Sequence, residues 1–352
     1  MAKPEHLLRV VVATPLSEQN CELVERLEPR IDLVRNQSLL PPMRHAADFS
    51  GDPSYKRTPS QQAEFEAMLN SADALYGLPD VSPAALKRTV DANPQLRWVH
   101  TMAAGGGGQV AVANLDQVQL EQVAFTTSAG VHGRALTEFA LLGVLAGSKQ
   151  LPKLTALQHA HKWSDRFMMG QVSQQTILVV GLGGIGRQVA DALAALGAIV
   201  IGASRHDVDL RSLDRVIRPE QIVEIAPEID AVVAALPGTA ATEGLLGAAF
   251  FAALKPGATV VNVGRGTVID EAAMTDALVE QRVGFAALDV FSVEPLPSDS
   301  ALWDLPNVLL SPHTAALSAD EDQLIAELFA KNASRLIDGR PLINLVDTVE
   351  FY

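Results

Sequence analysis

Two hydrophobic rhythms share the chain almost from end to end. Short aliphatic and β-branched runs alternate with longer stretches in which apolar residues return every three or four positions. The first rhythm predicts strands buried on both faces, and the second predicts amphipathic helices. In the first part, strands are expected at residues 8–14, 31–36, 72–77, 96–102 and 123–128, with helices such as 17–27 and 61–70 between them. From residue 176 the alternation sharpens into TILVV, AIVIGA, DAVVAAL, TVVNVG, FAALDV and VLLSP, six strands in all. Strands separated by helices in units of about 30 residues mean parallel sheets joined by right-handed crossovers.

Two such runs predict two sheets, and 352 residues exceed what one core of about 250–300 residues accommodates. The expected fold class is α/β, with two Rossmann-like or flavodoxin-like domains. Helical segments at 134–150 and 320–338 mark the joins. The second follows all six later strands, and GRPLINLVD beyond it can return to the first sheet. The expected layout is a nucleotide-type domain of residues 130–315 inserted into a domain built from 1–129 plus 316–352, an arrangement that leaves a ligand cleft between domains. Residues 37–59 are proline-rich and lack a period. They read as a long loop, either a lid or assembly arm or a plain surface excursion.

Composition narrows the function classes. With 48% hydrophobic and 19% charged residues the chain can bury ample apolar surface. Its 27 basic against 41 acidic residues, a formal charge of −14, argue against a nucleic-acid partner, which would need clustered Lys and Arg. A small local basic site is still compatible with that charge. Cys21 is the only cysteine, so no disulfide framework or cysteine metal site is expected, and it reads as a buried apolar residue. No metal-ligand spacing occurs. No apolar run approaches the ~20 residues of a membrane span, and MAKPEHLLRVVVAT reads as a first strand and not a signal peptide. The expectation is a soluble cytoplasmic protein without a membrane partner.

The chemistry begins at VVGLGGIGRQVADALAALGAIVIGASRHDV. Gly181, Gly183 and Gly186 form G-x-G-x-x-G directly after an apolar strand and at the opening of a helix with Val189, Leu193 and Leu196 on one face. In that context the motif cradles a dinucleotide pyrophosphate, with Gly184 and Ile185 facing the phosphates at the helix N-terminus. An acidic residue usually ends the next strand, where it binds the adenosine ribose. Here Ser204-Arg205 stand in its place, with His206 following. A hydroxyl beside a guanidinium suits a 2′-phosphate, which a carboxylate would repel. NADP(H) is therefore the preferred cofactor, with NAD(H) possible if Arg205 only stacks on the adenine.

Three later segments bring reactive side chains to strand ends. NVGRGTVIDE places Arg265, LDVFSVEPLP places Asp289 and Glu294, and NVLLSPHTAA places His313. All follow parallel strands, at the edge where open α/β sheets bind ligands. Each alone has a structural reading, but an arginine, an acid and a histidine together beside a nicotinamide suit hydride transfer.

The segments GLGGIGRQVA, LPGTAATEGLLGAAFFAALKPGATVVNVGRG, LDVFSVEPLP and SPHTA resemble the D-isomer-specific 2-hydroxyacid dehydrogenases, in particular their glyoxylate/hydroxypyruvate reductase-like branch. The likeness runs over nearly the whole chain and is weakest in the first ~70 residues. It implies that Arg265 holds the carboxylate or carbonyl of a 2-oxo acid, that His313 is the acid/base, and that Glu294 is its partner, stabilising the imidazolium. It further implies that Asp289 holds the nicotinamide carboxamide and that Leu236, Pro237, Thr242, Val263 and Gly264 line the cofactor. Thr242 reads equally as a helix N-cap. Ala104 and Gly105 resemble the loop whose N–H groups bind the substrate carboxylate. There the chain departs from the usual pattern, since Gly106, Gly107 and Gly108 replace bulkier and acidic residues and are expected to loosen the backbone. His100 and His132 read as structural.

The implied activity is reduction of a small 2-oxo acid to a D-2-hydroxy acid, or the reverse, by a homodimer with residues 134–150 at its interface. A non-enzymatic, nucleotide-sensing corepressor-like module on the same fold is the alternative from another class. A formate dehydrogenase would call for Gln where Glu294 stands.

Overall fold

The computed structural model describes residues 7–45, 47–349 and 351. It divides into two compact units, one of residues 1–132 with 317–352 and the other of 133–316.

The first unit holds five parallel strands, β1 (Leu8–Val12), β2 (Ile31–Val34), β3 (Ala74–Tyr76), β4 (Trp98–His100) and β5 (Ala124–Thr126), in the order β2-β1-β3-β4-β5. Each predicted strand is present but shorter. Helices start where local chemistry caps them. Ser17 accepts the Asn20 N–H ahead of Glu18–Leu27, and Thr58 and Gln61 form a reciprocal capping box around Pro59 at the start of Pro59–Leu69. The helix Glu321–Ile337 returns from the end of the chain and lays Phe329 against Tyr76 and Trp98, with ring centroids 5.0 and 4.5 Å apart. Cys21 is fully buried in this core, and burial pushes its thiol up to about 12.

The 37–59 segment is the long loop expected, and its described residues are tied down. It contains a 3-10 turn at Gln37–Leu39. Arg57 ties it down by donating to the Leu39 carbonyl and to Asp80, while stacking over the Phe65 ring at 3.8 Å. The glycine run is likewise ordered. Gly107–Val112 is a helix, and a Cβ at Gly106 would collide with the Thr101 side chain. The expectation of a slack backbone fails because close packing, not flexibility, requires glycine there.

The second unit holds seven strands, one more than the pattern predicts: β6 (Thr176–Val180), β7 (Ile199–Ala203), β8 (Arg215–Ile217), β9 (Ala231–Ala234), β10 (Ala258–Asn262), β11 (Val283–Leu288) and β12 (Val308–Leu310). All pair in parallel in the order β12-β11-β10-β9-β6-β7-β8. The extra strand, β8, is a three-residue edge strand with an exposed arginine, too short to leave a hydrophobic signature. Chain order reverses between β6 and β9, the switch point where doubly wound sheets open a crevice at the strand C-termini. Buried side chains cover both faces of the sheet, as parallel strands require.

Candidate active site

Every predicted second-unit site residue follows the C-terminal end of a strand, except those within the helix opened by the glycine motif. After β6 the chain turns at Gly181 in a left-handed conformation (φ 96°) against Leu236 and Ala235, the residues that follow β9. Gly186 packs on the Gly181 carbonyl so closely that no Cβ fits. Gly183 has open space beside it, and the helix Gly184–Ala195 starts without a side-chain cap. A backbone that can be approached closely, together with uncapped helix N–H groups, is what a pyrophosphate needs, so these residues fit the dinucleotide. Gly184 is exposed and Ile185 half-buried at that end.

At the tip of β7 the Ser204 hydroxyl accepts the His206 N–H at 3.1 Å, and Arg205 is exposed beside it. Sequence reasoning missed a third basic residue here. Arg218 follows β8 and donates to the Ser204 carbonyl at 3.3 Å. The short strand that delivers it carried no signal.

After β9, Thr242 donates to the Pro237 carbonyl at 2.7 Å and accepts the Thr239 N–H at 2.9 Å. It locks the turn 237–242, and no helix begins there, so the N-cap reading is corrected. After β10, Asn262 clamps its own turn, accepting the Gly264 N–H and donating to the Arg265 carbonyl, both at 3.0 Å. Val263 and Gly264 are thereby buried within a fixed turn that projects the exposed Arg265 side chain. Arg265 donates to the Gly264 carbonyl at 2.8 Å.

The remaining two strand ends meet. His313 Nδ1 lies 2.7 Å from Glu294 Oε2, and Glu294 Oε1 accepts the Phe291 N–H at 3.0 Å. Burial pushes the Glu294 carboxyl up. The His313 and Phe291 bonds and the charges of His313 and Arg265 outweigh it and hold the group below the usual carboxylate range. Arg265, Glu294 and His313 are thus brought into one electrostatic neighbourhood. The geometry leaves Nε2 of His313 on the ring edge opposite Glu294, and the His313 side chain is 43% exposed. Such an imidazole, with a carboxylate behind it, can exchange a proton with a bound oxygen.

Asp289 is buried, and its Oδ1 is used three times, accepting from Ser311 Oγ at 2.6 Å and from the Thr314 and Ala315 N–H groups at 2.9 Å. It therefore grips the turn that carries His313. Ser311, also missed from sequence, is part of that grip.

In the first unit, Ala104 and Gly105 lie in the turn between β4 and the helix Gly107–Val112, half-buried and exposed respectively. His100 is fully buried between Thr126 and Ser128, at 2.8 and 3.1 Å, and burial pushes it down to about 3, so it is neutral. His132 pairs with Glu321 at 2.8 Å, both buried. Both histidines are structural. Among the described residues no cluster of His, Cys, Asp and Glu could hold a metal, and no helix is long and apolar enough to cross a membrane.

A family model for the NAD-binding domain of D-isomer specific 2-hydroxyacid dehydrogenases matches residues 141–315. Glyoxylate/hydroxypyruvate reductase B of Pectobacterium atrosepticum is 31% identical over 262 residues, 72% of this chain and 80% of that protein. D-3-phosphoglycerate dehydrogenase of Mycobacterium tuberculosis is 36% identical over 194 residues, 55% of this chain, and the match spans 36% of its length. A D-isomer specific 2-hydroxyacid dehydrogenase from Xanthobacter autotrophicus Py2, solved with NADPH and MES, superposes with a TM-score of 0.77 at 27% identity, over 98% of this chain and 99% of that one. The NADPH-dependent glyoxylate/hydroxypyruvate reductase of Sinorhizobium meliloti, solved with NADP and sulfate, gives 0.75 at 25% identity, with 98% and 99% covered.

Proposed function

Because the chain belongs to the D-isomer specific 2-hydroxyacid dehydrogenase family, we propose that it reduces a small 2-oxo acid to a D-2-hydroxy acid, or runs the reverse, with NADPH preferred over NADH. The observation that carries this reading is the His313–Glu294 pair at 2.7 Å, within electrostatic reach of Arg265 on strand ends beside the glycine turn. A bound nicotinamide supplies or takes the hydride. His313 gives its Nε2 proton to the oxygen that develops negative charge, and Glu294 keeps the ring oriented and its cationic form stabilised. Arg265 holds the carboxylate or carbonyl of the substrate through charge-assisted bonds. Ala104 and Gly105 of the first unit keep the part the family resemblance gives them, backbone N–H donors for a substrate carboxylate. Asp289 has a second oxygen for the nicotinamide carboxamide while its first holds the His313 turn.

Glyoxylate and hydroxypyruvate are the first candidate substrates, supported by the Pectobacterium and Sinorhizobium relatives. Ser204 and Arg205 support the NADPH preference, and NADH is the second choice. We further propose a cytoplasmic homodimer. Exposed Leu142 and Leu145 on the helix Gly133–Ser148, with Trp163 and Met168 beyond it, support a partner copy on this unit.

The test is steady-state kcat/KM with NADPH and with NADH over glyoxylate, hydroxypyruvate, pyruvate and phenylpyruvate. Turnover with an NADPH preference of about tenfold or more, lost in Arg205→Ala, is the expected result. Equal use of NADH would overturn the cofactor preference, and tight cofactor binding without turnover of any acid would turn the reading to a sensing module.

A further inference from the structure

The edge of the second sheet carries an ion pair that the proposed chemistry does not use. β7 and β8 run parallel with Ala203 opposite Ile217, so Ser204 and Arg218 leave the two strands side by side. The Ser204 N–H bonds to the Ile217 carbonyl at 3.0 Å, fixing that adjacency in the backbone. Arg218 spreads its two terminal nitrogens over this junction. Nη1 donates to the Ser204 carbonyl at 3.3 Å, and Nη2 donates to Asp207 Oδ1 at 2.5 Å. Its backbone is held in turn by the Gln221 side chain at 2.9 Å. Arg218 and Asp207 line a pocket of about 270 Å³ together with Val208, Val216, Ile217 and Gln221.

We propose that Arg218 is a second specificity-determining residue for the 2′-phosphate of the cofactor, and that Asp207 is a surrogate anion the phosphate displaces. This rests on the NADP reading of Ser204 and Arg205. A phosphate recognised by Ser204 is by that fact beside Arg218, which already touches the Ser204 carbonyl. The Ser204 oxygen accepts the His206 N–H and keeps its own proton to donate. Asp207 is 97% exposed and Arg218 45%, so their pair is screened by water and weak. A phosphate bears more charge and three acceptor oxygens, so it outcompetes a lone surface carboxylate for the guanidinium fork. With a plain ribose hydroxyl at that place, Arg218 stays with Asp207. The pair therefore separates the two cofactors twice over: Arg218 rewards the phosphate, and Asp207 sets how large that reward is.

The test is equilibrium binding by calorimetry to the apoprotein of NADPH, NADH, 2′,5′-ADP and 5′-AMP, for wild type, Arg205→Gln, Arg218→Gln and Asp207→Asn. Arg218→Gln is expected to weaken NADPH and 2′,5′-ADP about tenfold while NADH and 5′-AMP stay within about twofold. Asp207→Asn is expected to tighten the two phosphorylated ligands about two- to fivefold, the scale of an exposed ion pair, and to leave the others alone. Arg218→Gln acting equally on all four ligands, or on none, overturns the inference. So does weaker NADPH binding in Asp207→Asn. Failure of the underlying reading looks different: wild type then binds 2′,5′-ADP no better than 5′-AMP, and Arg205→Gln changes nothing. Selectivity lost in Arg205→Gln but kept in Arg218→Gln leaves the cofactor reading standing and removes only Arg218.

Discussion

His313 sits in the left-handed region (φ 54°), a conformation that costs a non-glycine residue about 1–2 kcal/mol. What holds it there is Asp289, whose Oδ1 gathers the Ser311 hydroxyl before the histidine and the Thr314 and Ala315 N–H groups after it. Hydrogen bonds to a charged group contribute roughly 1.5–3 kcal/mol each, enough together to offset the strain. Ser311→Ala removes one of the three and should lower kcat about three- to tenfold, with a smaller loss in the Kd for NADPH because Asp289, proposed at the nicotinamide, keeps its two backbone N–H bonds. Stopped-flow reduction and a fluorescence titration measure the two quantities separately. His313→Asn removes the proton donor itself and should cost about 10²- to 10⁴-fold in kcat while cofactor binding persists. Near-normal turnover in that variant would move the acid/base role elsewhere.

Among the elements, the short helix Gly107–Val112 shows how glycine can be required at one position and dispensable two residues later. Gly106, ahead of it, has no room for a methyl group against Thr101, whereas Gly108 faces open space. Gly106→Ala should therefore destabilise by about 1–3 kcal/mol through overpacking. Gly108→Ala should stabilise by roughly 0.5–1 kcal/mol, the helix propensity gain. Urea midpoints of the two variants test this, and two shifts of the same sign would refute it. The same region illustrates the limit of pattern reading. A run of four glycines reads as slack until the neighbouring Thr101 is placed, and that neighbour is set by the sheet. The edge strand β8 is the second case: three residues have no period to detect, yet they deliver Arg218 to the tip of β7.

For the molecule as a whole, fully buried His100 of the first unit contributes to the response to acid. His100 holds a pKa of about 3 in the folded state, against ~6.5 for an exposed histidine. Between those values the unfolded chain binds a proton that the folded chain refuses. This penalty is absent above about pH 6.5 and grows as pH falls toward 3, by up to about 1.4 kcal/mol per unit. His100→Gln removes the titrating group, so its stability should depend less on pH between 6.5 and 4 than that of wild type. Urea unfolding at several pH values measures the slope, and parallel slopes would exclude His100 as the cause. Assembly is the other molecular property. Trp163 is fully exposed, and Trp163→Glu should shift the proposed dimer toward monomer in sedimentation velocity while leaving cofactor binding intact.

The sequence by itself determined two parallel α/β sheets, the glycine turn, the strand-end placement of Arg265, Asp289, Glu294 and His313, and the burial of Cys21. Those features are written in local periodicity and in short motifs whose backbone demands are met within a few residues. Only the tertiary structure decided which side chains share partners. It set the distance between His313 and Glu294, partners already implied by the family resemblance, at 2.7 Å across 19 residues of chain. It gave the oxygen of Asp289 to a turn more than 20 residues away, tied the 37–59 segment to Asp80 through Arg57, and set Arg218 against Ser204. Such pairings depend on strand order and register, which no local pattern encodes, because each strand of a parallel sheet finds its neighbour through crossovers that span a helix or more.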